Sequence, residues 1–327
     1  MEFRPATDHD IPAIVELLKQ SLGESLMPKS ERYWRWKHVE NPFGVSPVLL
    51  CWEGQQLIGV RAFMRWEWMD RTRRYRAVRA VDTATHPDHQ GKGIFKKLTL
   101  SLVDTCTQEG DHFVFNTPNE QSKPGYLKMG WTTAGRLPVK IGLERPLQMV
   151  KNALLRSPQT PVDERSSLAY YLDHPQLDGL LNDYLEQLNK LSTHTSAAYL
   201  RWRYKDVPVA SYVGVGEEAN GMLNGLIIGR IKPSRLGREL RITDCFLKKE
   251  SQGKALKQSL AACKKQWGID YVTVSGTLST ATEKLFPFRI KTTRGPIVTT
   301  RTLSLKNLEA LTNFNQWSPA LGDLELF

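Results

Sequence analysis

The segment Val81-Asp82-Thr83-Ala84-Thr85-His86-Pro87-Asp88-His89-Gln90-Gly91-Lys92-Gly93-Ile94-Phe95 carries the densest set of residues able to do chemistry. It reads as a strand, a proline turn, a glycine loop and a helix start. Gly91 and Gly93 can leave their N–H groups uncovered and adopt conformations closed to other residues. Those donors would lie at the positive end of the following helix, where orphan N–H groups and the dipole favour an anion. Lys92 and Lys96 add charge. The chemistry this suggests is a cradle for a diphosphate, although Gly-x-Gly turns also serve simply to start helices. A Walker A loop is excluded, because no Gly-Lys-Ser/Thr follows four intervening residues. A dinucleotide fingerprint is excluded too, because Lys96 stands where a small residue is needed and no βαβ unit opens the chain.

The flanking elements follow from periodicity. Ile11, Ile14, Val15, Leu18 and Leu22 recur at helical spacing behind Asp10, which reads as an N-cap, and Pro12. Strands are expected at 48–52 and 57–66 around a hairpin turn, and at 75–85. Ile94, Leu98, Leu102 and Cys106 step by four and predict a helix that stops near Gly110. A short strand at 112–117, a short helix at 125–129 and final strands near 132–143 complete the first half. A proline-marked stretch, 146–167, reads as a linker between a domain at 1–145 and another at 168–327, where a helix is expected at 177–191.

An internal repeat ties the halves together. Tyr33-Trp34-Arg35-Trp36-Lys37 is echoed by Tyr199-Leu200-Arg201-Trp202-Arg203. Asp82 precedes Gln90-Gly91-Lys92 by 8 residues, and Asp244 precedes Gln252-Gly253-Lys254 by the same 8. The intervals from Tyr33 to Asp82 and from Tyr199 to Asp244 are 49 and 45 residues, a difference a loop can absorb.

With these residues in place, the chain resembles the GNAT superfamily of acyl-CoA-dependent N-acyltransferases. The family's first signature, Gln/Arg-x-x-Gly-x-Gly/Ala, is met by Gln90-Gly91-Lys92-Gly93-Ile94, with Phe95 departing from the final small residue. Its second signature is an Asn, a Tyr seven residues on and a closing Gly-Phe; here these are Asn119, Tyr126 and Gly130-Trp131. The resemblance implies an α/β (α+β) fold class of two tandem GNAT-like folds, each a mixed, mostly antiparallel sheet flanked by helices. The second copy is degenerate: Ala255, Leu256 and Lys257 stand for Gly93, Ile94 and Phe95, and no Tyr-x-x-x-Gly-Phe/Trp string follows Val274. In its place stands Leu285-Phe286-Pro287-Phe288, and the copy is expected to shape an acceptor pocket instead of binding acyl-CoA.

The resemblance also assigns roles. Thr83, Ala84 and Thr85 would hold the pantetheine arm of acetyl-CoA or another acyl-CoA. Gln90, Gly91, Lys92, Gly93, Ile94 and Phe95 would bind the diphosphate, with Phe95 turned away or displacing it. Asn119 would orient the arm, and Tyr126 would protonate the departing thiolate; the alternative is a packed aromatic. Glu120 is the first candidate for the general base, with an acid placed to suit the helix dipole as the competing reading. Asp82 recurs as Asp244, which suggests a structural role. The chain end, Gly322-Asp323-Leu324-Glu325-Leu326-Phe327, is a third candidate.

Composition bounds the rest. The chain has 327 residues, 45 Lys+Arg against 34 Asp+Glu and a net charge of +11. Hydrophobic residues make up 40% and charged residues 24%, which excludes a wholly disordered chain. No apolar run approaches the roughly 20 residues of a membrane span, and no signal peptide is read. The bases are dispersed without a nucleic-acid motif, so an anionic small ligand or a solvated surface is expected, with no nucleic-acid or membrane partner. Cys51, Cys106, Cys245 and Cys263 have no metal-ligand spacing; no metal and a reducing cytoplasm are expected. The reaction expected is acyl transfer to a primary amine of a small molecule, an amino sugar among the candidates. The alternatives are an aminoacyl-tRNA-dependent transferase of the peptidoglycan-bridge type and a CoA-binding sensor without turnover.

Overall fold

In the computed structural model the described residues are 1–24, 27–71, 73–155, 165–248, 253–276, 283–286, 290–292, 294–305 and 309–324. The strands are β1 (Glu2–Pro5), β2 (Val48–Glu53), β3 (Gln56–Met69), β4 (Arg74–Thr85), β5 (Phe113–Asn116), β6 (Thr132–Arg136), β7 (Val139–Leu143), β8 (Ser192–Thr193), β9 (Val213–Ala219), β10 (Met222–Ser234), β11 (Gly237–Leu247), β12 (Tyr271–Ser275), β13 (Ile290–Thr292) and β14 (Ile297–Thr302). The helices are α1 (Ile11–Leu22), α2 (Glu31–His38), α3 (Ile94–Gln108), α4 (Lys123–Lys128), α5 (Pro146–Leu155), α6 (Arg165–Leu172), α7 (Leu177–Gln187), α8 (Ala197–Leu200) and α9 (Gly253–Gln266), with a short terminal helix at Leu321–Leu324. None of the described helices is long and apolar enough to cross a membrane.

Contacts group the chain into two units. The first is Met1–Gly135, Asp206–Val209 and Ile297–Gln316; the second is Arg136–Lys205, Ala210–Pro296 and Trp317–Phe327. This grouping differs from a serial division at 145 and 168 because the last strands are exchanged. β7 follows the first half in sequence but pairs antiparallel with β12, and β14 follows the second half but pairs antiparallel with β5. Nothing in the local sequence of either strand encodes that choice. The first ten residues of the expected linker form α5; 156–164 lie outside the described residues.

In the first unit, sheet order runs β1-β2-β3-β4-β5-β14-β6. The β2–β3 and β3–β4 pairs are antiparallel and β4–β5 is parallel. α1 buries Ile11, Ile14, Val15, Leu17 and Leu18 against Val60, Ala62 and Ala84 on one face. α3 buries its step-of-four row Ile94, Leu98, Leu102 and Cys106 on the other face. Each such large side chain stabilises the unit by roughly 1.5–3 kcal/mol. Asp10 does not cap α1 with its side chain. Its carboxylate accepts from Thr7 N–H at 2.8 Å and from Arg4 Nη2 at 2.6 Å instead. The guanidinium and the Thr7 bonds outweigh burial and hold it well below the usual carboxylate range.

The second unit repeats the plan. β9, β10 and β11 run antiparallel and β11 pairs parallel with β12. The repeated aromatic segment has the same cap in both units: Tyr33 N–H donates to Ser30 Oγ at 3.1 Å, and Tyr199 N–H to Ser196 Oγ at 3.1 Å. The helix of the degenerate loop differs. α9 begins at Gly253 itself, which is buried, and a Cβ added there would meet Leu285 at 3.5 Å, so the counterpart of the glycine loop is wound into the helix. Gln252, Pro287 and Phe288 lie outside the described residues.

The terminal helix Leu321–Leu324 is buried within the second unit. The Ala320 N–H donates to Asp323 Oδ2 at 2.7 Å, and Arg203 Nε donates to the Gly322 carbonyl at 3.1 Å. Tyr204 donates its hydroxyl to Asp244. Tyr184, Tyr199, Tyr204 and Arg203 surround the two carboxylates. Burial pushes Asp323 up to about 6, and burial together with the Asp323 charge raises Asp244. The sign follows: the folded chain holds a proton that the unfolded chain releases near pH 4, so this stability is present at low pH and is lost as pH rises through about 6. Asp323→Asn is expected to flatten that loss when urea unfolding is followed from about pH 4 to about pH 7. An equal slope in both proteins would show that Asp323 is ionised throughout. Asp323 thus faces the interior of the second unit; Glu325, Leu326 and Phe327 lie outside the described residues.

Candidate active site

Strand β4 opens the site. It pairs with β3 from Arg74 to Thr85, but with β5 only at Ala77, Val78 and Arg79. Beyond Arg79 it has a strand partner on one side only among the described residues. Thr83, Ala84 and Thr85 therefore border a gap. Ser21 from α1 donates its hydroxyl to the Thr85 carbonyl at 3.1 Å.

At this place the β3–β4 register shifts between Arg61 and Ala62, and Asp82 is the extra residue, with φ 33°. A bulge of this kind re-aims its side chain. Asp82 accepts from Lys37 Nζ at 2.7 Å and from His38 Nε2 at 2.8 Å. Burial alone would raise Asp82, but the Lys37 charge and the His38 bond outweigh it and hold the carboxylate well below its usual range. Burial lowers His38, against the pull of Asp82. In the second unit Asp244 is held by Tyr204, the counterpart of His38, so the two aspartates share a structural place.

The glycine loop lies where β4 leads into α3. Gly91 and Gly93 both have φ 76°, and a Cβ at either would meet nothing within 4 Å. Such a backbone strongly favours glycine. Lys97 N–H donates to the Gly93 carbonyl at 3.0 Å, leaving the N–H groups of Gly93, Ile94, Phe95 and Lys96 without an intrahelical acceptor. Gln90, Gly91, Lys92 and Gly93 are exposed and Ile94 is buried. This donor set and its open space fit a diphosphate. His89 Nδ1 lies 3.3 Å from Lys92 Nζ and 3.6 Å from Glu53, as part of a turn. No cluster suited to a metal ion occurs among the described residues.

Phe95 turns away from the loop. Its ring meets Tyr126 edge-on at 5.7 Å. Tyr126, on α4, is only 4% exposed and also meets Trp131 at 5.3 Å. Its hydroxyl accepts a hydrogen bond from Arg61 Nη2 at 2.6 Å. Sequence reasoning missed Arg61. The available signal was a lone charge inside the apolar run Leu57-Ile58-Gly59-Val60-Arg61-Ala62-Phe63.

Asn119 and Glu120 sit in an exposed turn before α4, which begins at Lys123 and not at Asn119. Asn119 Oδ1 accepts from Ser122 N–H at 2.8 Å, so this side chain organises the turn. Glu120 is exposed and makes no ion pair among the described residues. On the α1 face, a narrow cleft is lined by Val15, Leu18, Lys29, Ser30, Tyr33, Trp34, Lys37 and Asp82.

A strand splayed from its parallel neighbour beside a glycine-opened helix agrees with the resemblance drawn from the sequence. Residues 2–134 match the family model of the acetyltransferase (GNAT) domain, and the chain carries a GNAT-superfamily domain over that stretch. Over 95 residues it is 28% identical to the L-amino acid N-acyltransferase MnaT of Escherichia coli, covering 28% of this chain and 54% of that protein. Over 154 residues it is 27% identical to an L-methionine sulfoximine/L-methionine sulfone acetyltransferase of Salmonella typhimurium, covering 43% of this chain and 88% of that one. The fold is shared more widely. A GCN5-related N-acetyltransferase from Anabaena variabilis superposes with a TM-score of 0.65 at 18% identity, covering 92% of this chain and 73% of that chain. A probable N-acyltransferase from Enterococcus faecalis superposes with a TM-score of 0.65 at 10% identity, covering 93% and 73%. The two sheets with their flanking helices are consistent with two tandem GNAT-like folds.

Proposed function

We propose that the chain is an N-acyltransferase that moves an acyl group from acetyl-CoA or another acyl-CoA to a primary amine of a small molecule. The observation that carries this reading is the gap beside Thr83, Ala84 and Thr85, together with the open donors of the loop from Gln90 to Phe95. The loop takes the diphosphate and the β4 edge takes the pantetheine arm as an added strand would. Asn119 keeps its amide –NH2 for the arm. The amine nitrogen attacks the thioester carbonyl, the C–N bond forms, the C–S bond breaks, and Tyr126 gives its proton to the sulfur. The amine's own proton leaves by way of Glu120 or water and restores the one that Tyr126 gave up.

The cleft on the α1 face receives the acceptor. Lys29 in its wall has no ion-pair partner among the described residues, and burial lowers it. An ammonium there suits an acceptor that carries a carboxylate, as an amino acid does; the relatives' names speak for the same class. An amino sugar is the second acceptor class to test. Cys51, Cys106 and Cys245 form no disulfide, which fits a cytoplasmic enzyme.

The experiment is a screen of L-amino acids and amino sugars for thiol release from acetyl-CoA. Turnover with amino acids at lower KM than with amino sugars is expected. Tight acetyl-CoA binding with no turnover on any amine would instead favour a sensor.

A further inference from the structure

Arg61 has the surroundings of a group that is missing a partner. It lies on β3 and is 0% exposed. No carboxylate pairs with it among the described residues, and its Nε has no hydrogen-bond partner. Three aromatic rings enclose the guanidinium instead: Phe63, Phe95 and Tyr126, with centroids at 5.0, 5.6 and 5.4 Å. Nη1 lies 3.5 Å from the Val81 carbonyl, a weak contact. Its neighbour on the same strand face, Arg65, meets both Glu109 and Asp111. Burying a cation without a counter-charge is unfavourable, so the fold gains little from Arg61 as a structural element. What it does have is one strong bond, from Nη2 to the Tyr126 hydroxyl at 2.6 Å. It also stands opposite Thr83, at the register shift where the β4 edge opens.

We propose that Arg61 is a positioning residue for acyl transfer, holding the Tyr126 hydroxyl so that its proton faces the leaving sulfur; the inference rests on the acyl-CoA reading above. The Nη2–H occupies a lone pair of the phenol oxygen, so the O–H must point elsewhere. As the C–S bond breaks, the phenol's proton passes to sulfur and negative charge develops on the Tyr126 oxygen. The guanidinium, with no other anion to serve, is the charge that meets it. The phenolate then regains a proton, through water, from the ammonium formed when the amine attacked. The rings of Phe63 and Phe95 keep water from the pair and leave its electrostatic coupling strong.

The test is a double-variant cycle in the full chain, with acetyl-CoA and the best amine of the screen. Arg61→Met is expected to lower kcat by about 100-fold while acetyl-CoA affinity stays within about two-fold. Arg61→Lys, which keeps the charge without the planar fork, should recover part of kcat. In a Tyr126→Phe background, Arg61→Met should lower kcat by less than about two-fold, because the residue acts through the lost hydroxyl. The Tm of Arg61→Met should hold or rise, since an unpaired buried charge has been replaced by an apolar chain of similar size. An undiminished kcat in Arg61→Met or Arg61→Lys, or equal losses in the wild-type and Tyr126→Phe backgrounds, would overturn the inference while leaving the acyl-CoA reading intact. Failure of the wild type to bind acetyl-CoA would overturn that reading, and the inference with it.

Discussion

Tyr126→Phe should lower kcat by about 10²- to 10³-fold with little change in acyl-CoA affinity, the loss expected when a general acid is removed. The ring contacts with Phe95 and Trp131 survive the substitution, so α4 keeps its packing. The hydroxyl is the acceptor of the Arg61 bond, and without it a buried guanidinium N–H has no partner. That costs about 1–3 kcal/mol, so Tm should fall while the protein remains folded at 25 °C. Kinetics are therefore read together with a thermal scan. Turnover equal to that of the wild type would make Tyr126 a packed aromatic and leave the leaving thiolate without an acid.

Gly91→Asp should raise the acetyl-CoA Kd by at least about 100-fold, since a like charge placed against a diphosphate costs several kcal/mol. The new side chain meets no atom at its Cβ, so it does not disturb the core. Its φ of 76° adds backbone strain of about 1–2 kcal/mol on an exposed loop. The matched control is Lys254→Asp, an exposed position at the start of α9 in the second unit. That substitution adds an acid to the corresponding helix start, where Gly253 is packed inside, and it should leave acetyl-CoA binding unchanged.

Much of the first unit was legible in the sequence because its signals are local. The step-of-four row on α3 and the turn at Gly54 depend on neighbours in sequence, and both elements fall where periodicity puts them. The repeat was legible for the same reason: a five-residue string and an aspartate survive in both copies, and in both units the aspartate is held by the helix that carries the string. The exchange of β7 and β14 was not legible. Either strand could satisfy either sheet edge by propensity alone, and only long-range packing decides. Asp10 does stand at the N-cap position of α1, but its side chain bonds Arg4 and Thr7, from positions that helix periodicity does not weigh. Arg61 escaped because an arginine in a strand ordinarily reads as an outward-facing residue. Its burial is shared with the rings of Phe95 and Tyr126, which are distant in sequence, and Phe95 departs from the family pattern.

The measurement that tests the central claim most directly is calorimetric titration of the full chain with acetyl-CoA, alongside Gly91→Asp and Lys254→Asp. One site per chain is expected, lost in Gly91→Asp and kept in Lys254→Asp, because Gly91 and Gly93 stand open while Gly253 is buried at the start of α9. Two equivalent sites per chain, no binding at all, or binding that survives Gly91→Asp would contradict the assignment of the acyl-CoA site to the loop at Gly91 and Gly93.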